Sequence, residues 1–253
     1  MENKLKLYGF NNLTKSLSFN IYDVCYAKTQ KEQQDYIAYV DEQYNSERIT
    51  DIMSHVTEMI GAQVLSVSKQ DYDPQGASAT FLIADDTMIP ANGNEIVAHL
   101  DKSHVTVHTY PEFHPDTSIA TFRVDIDVAT CGKITPLTAL DYLISSFDSD
   151  IITMDYRVRG FTRNIHGEKL FIDHEITSIQ NYIDSKKLRD YVAVDINVYD
   201  ANIFHTKMLI KELYLQNYLF NTDVDELPPY RRLEISTALR REMIEIFSGR
   251  NVY

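Results

Sequence analysis

Residues Phe122-Arg123-Val124-Asp125-Ile126-Asp127-Val128 alternate apolar and charged without a break. Successive side chains of a strand point to opposite faces, so this run settles as a strand with one face in a core and the other in water or in a site. Other segments read the same way. Gln63–Lys69 and Ala77–Ala84 are strand-like runs around a turn signal, Asp71-Tyr72-Asp73-Pro74-Gln75-Gly76. Val105–Tyr110 is a strand ended by Pro111, and Ile151–Phe161 and Lys169–Ile176 are two more around the turn at Asn164–Gly167. Asp85–Asn94 is a polar loop holding Pro90 and Gly93.

Helices alternate irregularly with these strands. Tyr36, Val40, Tyr44, Ile49, Ile52, Met53, Val56 and Ile60 repeat at helical spacing, which predicts one helix over Lys31–Gly61 stopped by its glycine. Thr135-Pro136 opens a second, with Leu137, Leu140, Ile144 and Phe147 as its inward stripe. Leu227–Phe247 is a third, with Ile235, Leu239 and Met243 on one side. The order lacks a regular βαβ alternation and a glycine-rich phosphate loop. It predicts an α+β fold, an α/β sandwich in which helices cover a mainly antiparallel sheet, as a single domain over residues 1–253.

The formal net charge is −13, which argues against nucleic acid as a partner because phosphates need a basic face. Met1–Phe10 lacks the apolar core of a secretion signal, and no apolar run approaches the ~18 residues that span a bilayer. Two cysteines, Cys25 and Cys131, are too few for a disulfide framework. The expectation is a cytoplasmic protein with both thiols reduced and no membrane association.

Four of the eight histidines fall between His99 and His114. His104 and His108 at i, i+4 would share a metal on a helix. The β-branched Val105-Thr106-Val107 between them makes the segment a strand, on which the two stand ~13 Å apart, far beyond a shared zinc with ligands at ~2.0–2.1 Å.

The run containing them is Ser103-His104-Val105-Thr106-Val107-His108-Thr109-Tyr110-Pro111-Glu112, followed downstream by Asp127-Val128-Ala129-Thr130-Cys131-Gly132. This pairing closely resembles the bacterial S-adenosylmethionine decarboxylases: a Ser-His, a second His five residues after the Ser, Thr-aromatic-Pro-Glu, then Thr-Cys-Gly after the next strand. The resemblance extends over Leu5–Lys28, Asp71–Thr80 and Asp155–Gln180, and is to the longer form found in enterobacteria. The loop around Thr87–Asn94 looks short, and Thr117–Ala120 differs in detail.

That family removes carbon dioxide from an amino acid, which needs an electron sink. The resemblance implies that the sink is a pyruvoyl group made from the chain. The Ser103 hydroxyl attacks the carbonyl of Lys102, the amide becomes an ester, β-elimination breaks the chain and leaves dehydroalanine, and hydrolysis gives the pyruvoyl group. A β chain, Met1–Lys102, and an α chain beginning at Ser103 follow. The resemblance makes Ser103 the residue that joins the substrate amine through its ketone, His108 the proton acceptor of processing, and Cys131 the proton donor of catalysis. Ser78 matches a Gly-x-Ser that assists processing. Histidine suits proton transfer near neutral pH, and an ordinary thiol at pKa ~8.5 keeps its proton there. Cys25 reads as a buried small hydrophobe.

The implied product is S-adenosyl 3-(methylthio)propylamine, the aminopropyl donor for spermidine synthesis. The motif encodes the cofactor rather than the pocket, so a basic amino acid, ornithine or arginine, stands as the alternative substrate. A sulfonium cation suits aromatic and acidic neighbours, of which Tyr8, Phe10, Asp71, Tyr72, Glu112 and Asp125 are candidates. The resemblance also implies magnesium as an activator, for which Asp125 and Asp127 share one strand face, and an oligomer of αβ units.

Overall fold

The computed structural model describes residues 12–85, 103–132 and 134–252. Its centre is an eight-stranded sheet in the order β2-β3-β4-β5-β1-β6-β10-β9, every neighbouring pair antiparallel. The strands are β1 Thr14–Tyr26, β2 Ala62–Asp71, β3 Ala77–Asp85, β4 His104–Phe113, β5 Ile119–Cys131, β6 Ile151–Arg159, β9 Tyr191–Asp195 and β10 Ile203–Ile210. Thr162–Arg163 (β7) and Lys169–Leu170 (β8) form a separate two-residue hairpin. The expected α+β sandwich is therefore present.

One face of the sheet is the main core. Leu17, Phe19 and Ile21 of β1, Ala79, Phe81 and Ile83 of β3, Val105 and Val107 of β4, and Val124, Ile126 and Val128 of β5 all point to it and are buried. Against it pack α1 (Gln30–Gln43), α2 (Ser46–Met59) and α3 (Leu140–Ser146). α4 (Ser185–Leu188) is a single turn that precedes β9. The opposite face is polar over β3, β4 and β5. At the far end of β1 and β6 a second cluster of Val24, Ile151 and Leu209 is covered by α5 (Pro229–Ser248) through Ile235, Leu239 and Met243.

Three expectations need correction. The helix over Lys31–Gly61 is two helices. Asn45 caps α2 by accepting from Arg48 N at 2.9 Å, and Tyr44 leaves helical geometry to stack between Phe122 and Phe147. Pro111 does not end its strand. β3 pairs with β4 only as far as His108, so beyond it β4 is an edge on that side, and a residue without an N–H costs no ladder bond there. Lys169–Ile176 is a strand only over Lys169–Leu170, because the side chains of Asp173 and His174 turn inward to partners described below. The Asp85–Asn94 loop lies outside the described residues from position 86 onward.

Candidate active site

Ser103 stands at the mouth of β4, one residue before the His104↔Ala129 pair, which sets it alongside Thr130 and Cys131 at the end of β5. It is 7% exposed, and its carbonyl accepts from Ile83 N at 3.3 Å. Cys131 is half-buried and pairs with Thr14 of β1. Gly132 then ends the strand at φ +74°, where a side chain would be strained. Its N–H donates to Leu13 O at 3.1 Å, and Thr130 Oγ1 donates across the turn to Ile134 O at 3.1 Å. Two of the sequence-derived residues, Ser103 and Cys131, are thus brought to one end of the sheet. Lys102 lies outside the described residues.

His108 is elsewhere. Five residues on from Ser103, it stands ~16 Å along the strand, on the polar face, where Ser103 shares the buried parity of Val105 and Val107. Its direct cross-strand neighbours are Ser78 on β3 and Asp125 on β5, on the same face. Tyr72 Oη lies 3.1 Å from its Nδ1, and the Tyr110 ring stacks 6.2 Å away. Ser78 and His108 therefore meet, as the Gly-x-Ser match suggests, but neither meets Ser103 within the chain. His104 shares the face of His108, and the confirmed strand keeps the two ~13 Å apart, so no metal joins them.

The carboxylates on this face are engaged. Asp125 is paired with the Arg123 guanidinium, which also lies 4.8 Å over the Tyr110 ring, and Asp127 accepts from Ser18 Oγ. Burial pushes the Tyr22 hydroxyl pKa up, opposed by Arg123. Among the described residues no group of three His, Cys, Asp or Glu is disposed to hold a metal ion. Asp71 caps α2 by accepting from Ser46 N and Oγ at 2.7 and 2.8 Å, which removes it as a free substrate carboxylate. Glu112 is exposed, Tyr72 is held by His108, and Tyr8 and Phe10 lie outside the described residues.

Sequence reasoning missed a buried ionic chain at the Ser103–Cys131 end. Lys15 of β1 is 1% exposed; its Nζ donates to Gly132 O at 2.7 Å and to Asp173 Oδ2 at 2.7 Å. Asp173 Oδ1 lies 2.8 Å from His174 Nδ1, and His174 Nε2 lies 3.1 Å from the buried Tyr156 hydroxyl. Burial pushes the Asp173 carboxyl up, but the His174 hydrogen bond and the Lys15 charge outweigh it and hold its pKa low. Burial drives the Tyr156 phenol well up, which keeps it a neutral donor. The signal was available: Lys15 occupies an inward position of an alternating strand between Leu13 and Leu17, where a cation needs a partner.

At the opposite end of β1 a cavity of about 800 Å³ is walled by Asp23, Asp150, Tyr36, Tyr218 and Phe220, among others. Burial and then Asp150 hold the Asp23 carboxyl well above the usual carboxylate range, and burial drives the Cys25 thiol far up. Cys25 is 8% exposed and behaves as the expected buried hydrophobe.

Residues 36–160 match the family model described as S-adenosylmethionine decarboxylase. Lys15, Asp173 and His174 fall outside that span. The S-adenosylmethionine decarboxylase proenzyme of Clostridium botulinum (strain Alaska E43 / Type E3) is 70% identical over 268 aligned positions, covering 100% of this chain and 98% of that protein. The proenzyme of Clostridium beijerinckii (strain ATCC 51743 / NCIMB 8052) is likewise 70% identical, with 100% and 99% covered. That of Hahella chejuensis (strain KCTC 2396) is 60% identical, again with 100% and 99% covered.

Proposed function

The chain belongs to the S-adenosylmethionine decarboxylase family, and from that premise we propose that Ser103 supplies the pyruvoyl group with which it decarboxylates S-adenosyl-L-methionine. It is an enzyme of this type, made as a proenzyme and serving polyamine synthesis. The basic amino acid substrate has no support in these relatives and is dropped.

The residues fit such a group. Ser103 is buried at a strand mouth with its carbonyl held by Ile83 N, and Cys131 ends the adjoining strand β5, one position past the residue opposite Ser103 and with its side chain on the other face of the sheet. The adjacency of these two strand ends is the observation that carries the reading. The pyruvoyl ketone supplies the carbonyl that takes the substrate amine and draws electrons as the carboxylate leaves. The chain does the rest. The buried wall around Ser103 excludes water, and Cys131 delivers the proton to the substrate carbon that the carboxylate has vacated.

His108 serves processing from a second copy. At ~16 Å along its own strand it is beyond reach of its own Ser103, yet it stands on a polar sheet face with Ser78 beside it. An oligomer that lays this face near the strand mouth of a partner would bring the two together, so the oligomer of αβ units and the role of His108 form one proposal. Among the described residues Asp125 and Asp127, the carboxylates named for magnesium, are both engaged, and no step is routed through the ion. A cytoplasmic setting with reduced thiols belongs to the same reading. Among the described residues no helix is long and apolar enough to cross a membrane.

The test is intact mass under denaturing conditions. Two fragments are expected, residues 1–102 and a larger one whose N-terminus is blocked, with Ser103→Ala remaining one inactive chain. An active preparation that stays unbroken, or whose larger fragment begins with a free serine amine, would overturn the reading.

A further inference from the structure

We propose that Lys15 is a positioning residue for the catalytic thiol: its ammonium clamps the Cys131-Gly132 turn, and the Asp173-His174-Tyr156 chain holds that ammonium in place. The inference rests on the reading of Cys131 as proton donor and extends it to residues outside the span matched by the family model.

A proton donor must hold its atom toward one carbon and away from another a bond or two distant, and the residue that follows it in the chain sets its direction. Gly132 is fixed at both of its polar atoms by β1 and the residue that precedes it. Its N–H donates to Leu13 O at 3.1 Å, and its carbonyl accepts from Lys15 Nζ at 2.7 Å. Lys15 and Thr130 are directly paired across β1 and β5, so the clamp closes from the strand next to the donor.

A lysine 1% exposed is costly unless its charge is matched and its N–H groups are used. Asp173 matches the charge at 2.7 Å and is itself almost fully enclosed, with 8% of its side chain exposed. Its second oxygen meets His174 Nδ1 at 2.8 Å. Opposite a carboxylate that nitrogen carries the proton, so His174 Nε2 accepts from the Tyr156 hydroxyl at 3.1 Å. Tyr156 is itself anchored in the core on β6. Each group in the chain is thus aimed by the next, and a connected buried network of this kind favours one geometry. A hydrophobic residue of similar volume at position 15 would fill the space, but it would leave the carbonyl after the thiol free to turn.

Misdirected protonation has a chemical signature. When the proton reaches the carbon derived from the pyruvoyl ketone instead of the substrate carbon that lost carbon dioxide, hydrolysis consumes one water. The substrate amine carbon leaves as an aldehyde, oxidised by two electrons. The α chain is left ending in alanine, reduced by the same two electrons. Loss of positioning therefore shows as alanine ends per turnover, a quantity that general loss of stability does not raise.

The experiment compares processed wild type, Lys15→Met, Lys15→Arg, Asp173→Asn and Cys131→Ala with S-adenosyl-L-methionine. It records kcat, KM, α-chain mass after a counted number of turnovers, and the rate of Cys131 alkylation by iodoacetamide without substrate. Expected for Lys15→Met is a kcat lowered roughly tenfold to a hundredfold, a KM close to wild type, a matching rise in alanine ends, and a changed alkylation rate. Lys15→Arg, which retains a cation and donors, should recover part of each. A folded, cleaved Lys15→Met with wild-type kcat and alanine fraction would overturn the proposal. If Lys15→Met fails to fold, Asp173→Asn is read by the same criteria. Cys131→Ala separates the two claims. Normal turnover by that variant overturns the donor assignment itself, whereas a rise in alanine ends in Cys131→Ala but not in Lys15→Met overturns the clamp alone.

Discussion

Ser103 and His108 belong to the same length of chain and turn away from each other: one sits with the buried side chains at the mouth of β4, the other on its polar face ~16 Å further on. No choice of rotamer joins them. If His108 takes part in cleavage, it acts on another copy, and that can be tested by mixing. His108→Ala expressed alone is expected to stay whole, whereas His108→Ala co-expressed with Ser103→Ala is expected to be cut, since each supplies what the other lacks. Cleavage of His108→Ala alone at the wild-type rate would remove His108 from processing. A mixture that stays whole would remove the second copy.

Cys131→Ala is expected to self-cleave normally, because its thiol lies outside the acyl shift. Turnover should fall ~10²–10⁴-fold, the span over which a positioned proton donor contributes. Gel analysis and carbon dioxide release check the two halves separately.

Asp23 supplies a pH prediction at the other end of β1. Burial, then Asp150 and Asp148, raise its carboxyl in the folded protein. In the unfolded chain an aspartate ionises near ~3.9. Between those two values the folded protein holds a proton that the unfolded chain releases, so the contribution to stability is full below the unfolded value and is lost as pH rises through the raised one. Asp23→Asn keeps an acceptor for the Tyr36 hydroxyl, 3.1 Å away, and abolishes that loss. Thermal melts should show the variant above wild type at about pH 7.5 and converging with it toward about pH 4. A variant less stable at neutral pH by the same margin as at acid pH would contradict the assignment.

Phe19 is fully buried on the central strand. Phe19→Ala should lower the unfolding free energy by about 3–5 kcal/mol, the usual cost of emptying a core aromatic site. Urea titration of the processed enzyme measures it, with an unchanged slope expected if the denatured state is unaffected.

What could be read from sequence was what local pattern encodes. The alternation at Phe122–Val128 became β5 with Val124, Ile126 and Val128 inward and Arg123, Asp125 and Asp127 outward. The cap signal at Thr135-Pro136 became a helical start with Leu137, Leu140 and Ile144 buried. The helix over Lys31–Gly61 was too long because Tyr36, Val40 and Tyr44 run in one phase and Ile49, Ile52 and Val56 in another. That slip marks a break, and Asn45 is the cap that makes it. β1, β9 and β10 were not foreseen. In β1 the run Leu17-Ser18-Phe19-Asn20-Ile21 alternates well, but Lys15 at an inward position and Asp23 near the end interrupt it. In β9 the strand lies at the sheet edge with Val192 and Val194 exposed, so its apolar residues do not report a core.

The candidate site divides in the same way. Ser103, His108 and Cys131 stand out through a motif, a property of short segments. The Lys15–Asp173–His174–Tyr156 chain joins residues up to 159 positions apart, and each is ordinary in its own neighbourhood. Only the pairing of β1 with both β5 and β6 brings them together.

The strand order carries one more consequence. A cut between positions 102 and 103 gives β1, β2 and β3 to one product and the other strands of the sheet to the second. Read across the sheet, ownership then runs first product, second, first, second, with β1 laced between β5 and β6. Neither product can depart without tearing hydrogen-bonded ladders on both flanks of that strand. Such a break would be a nick rather than a release, and the two polypeptides should travel as one particle until a denaturant unravels both.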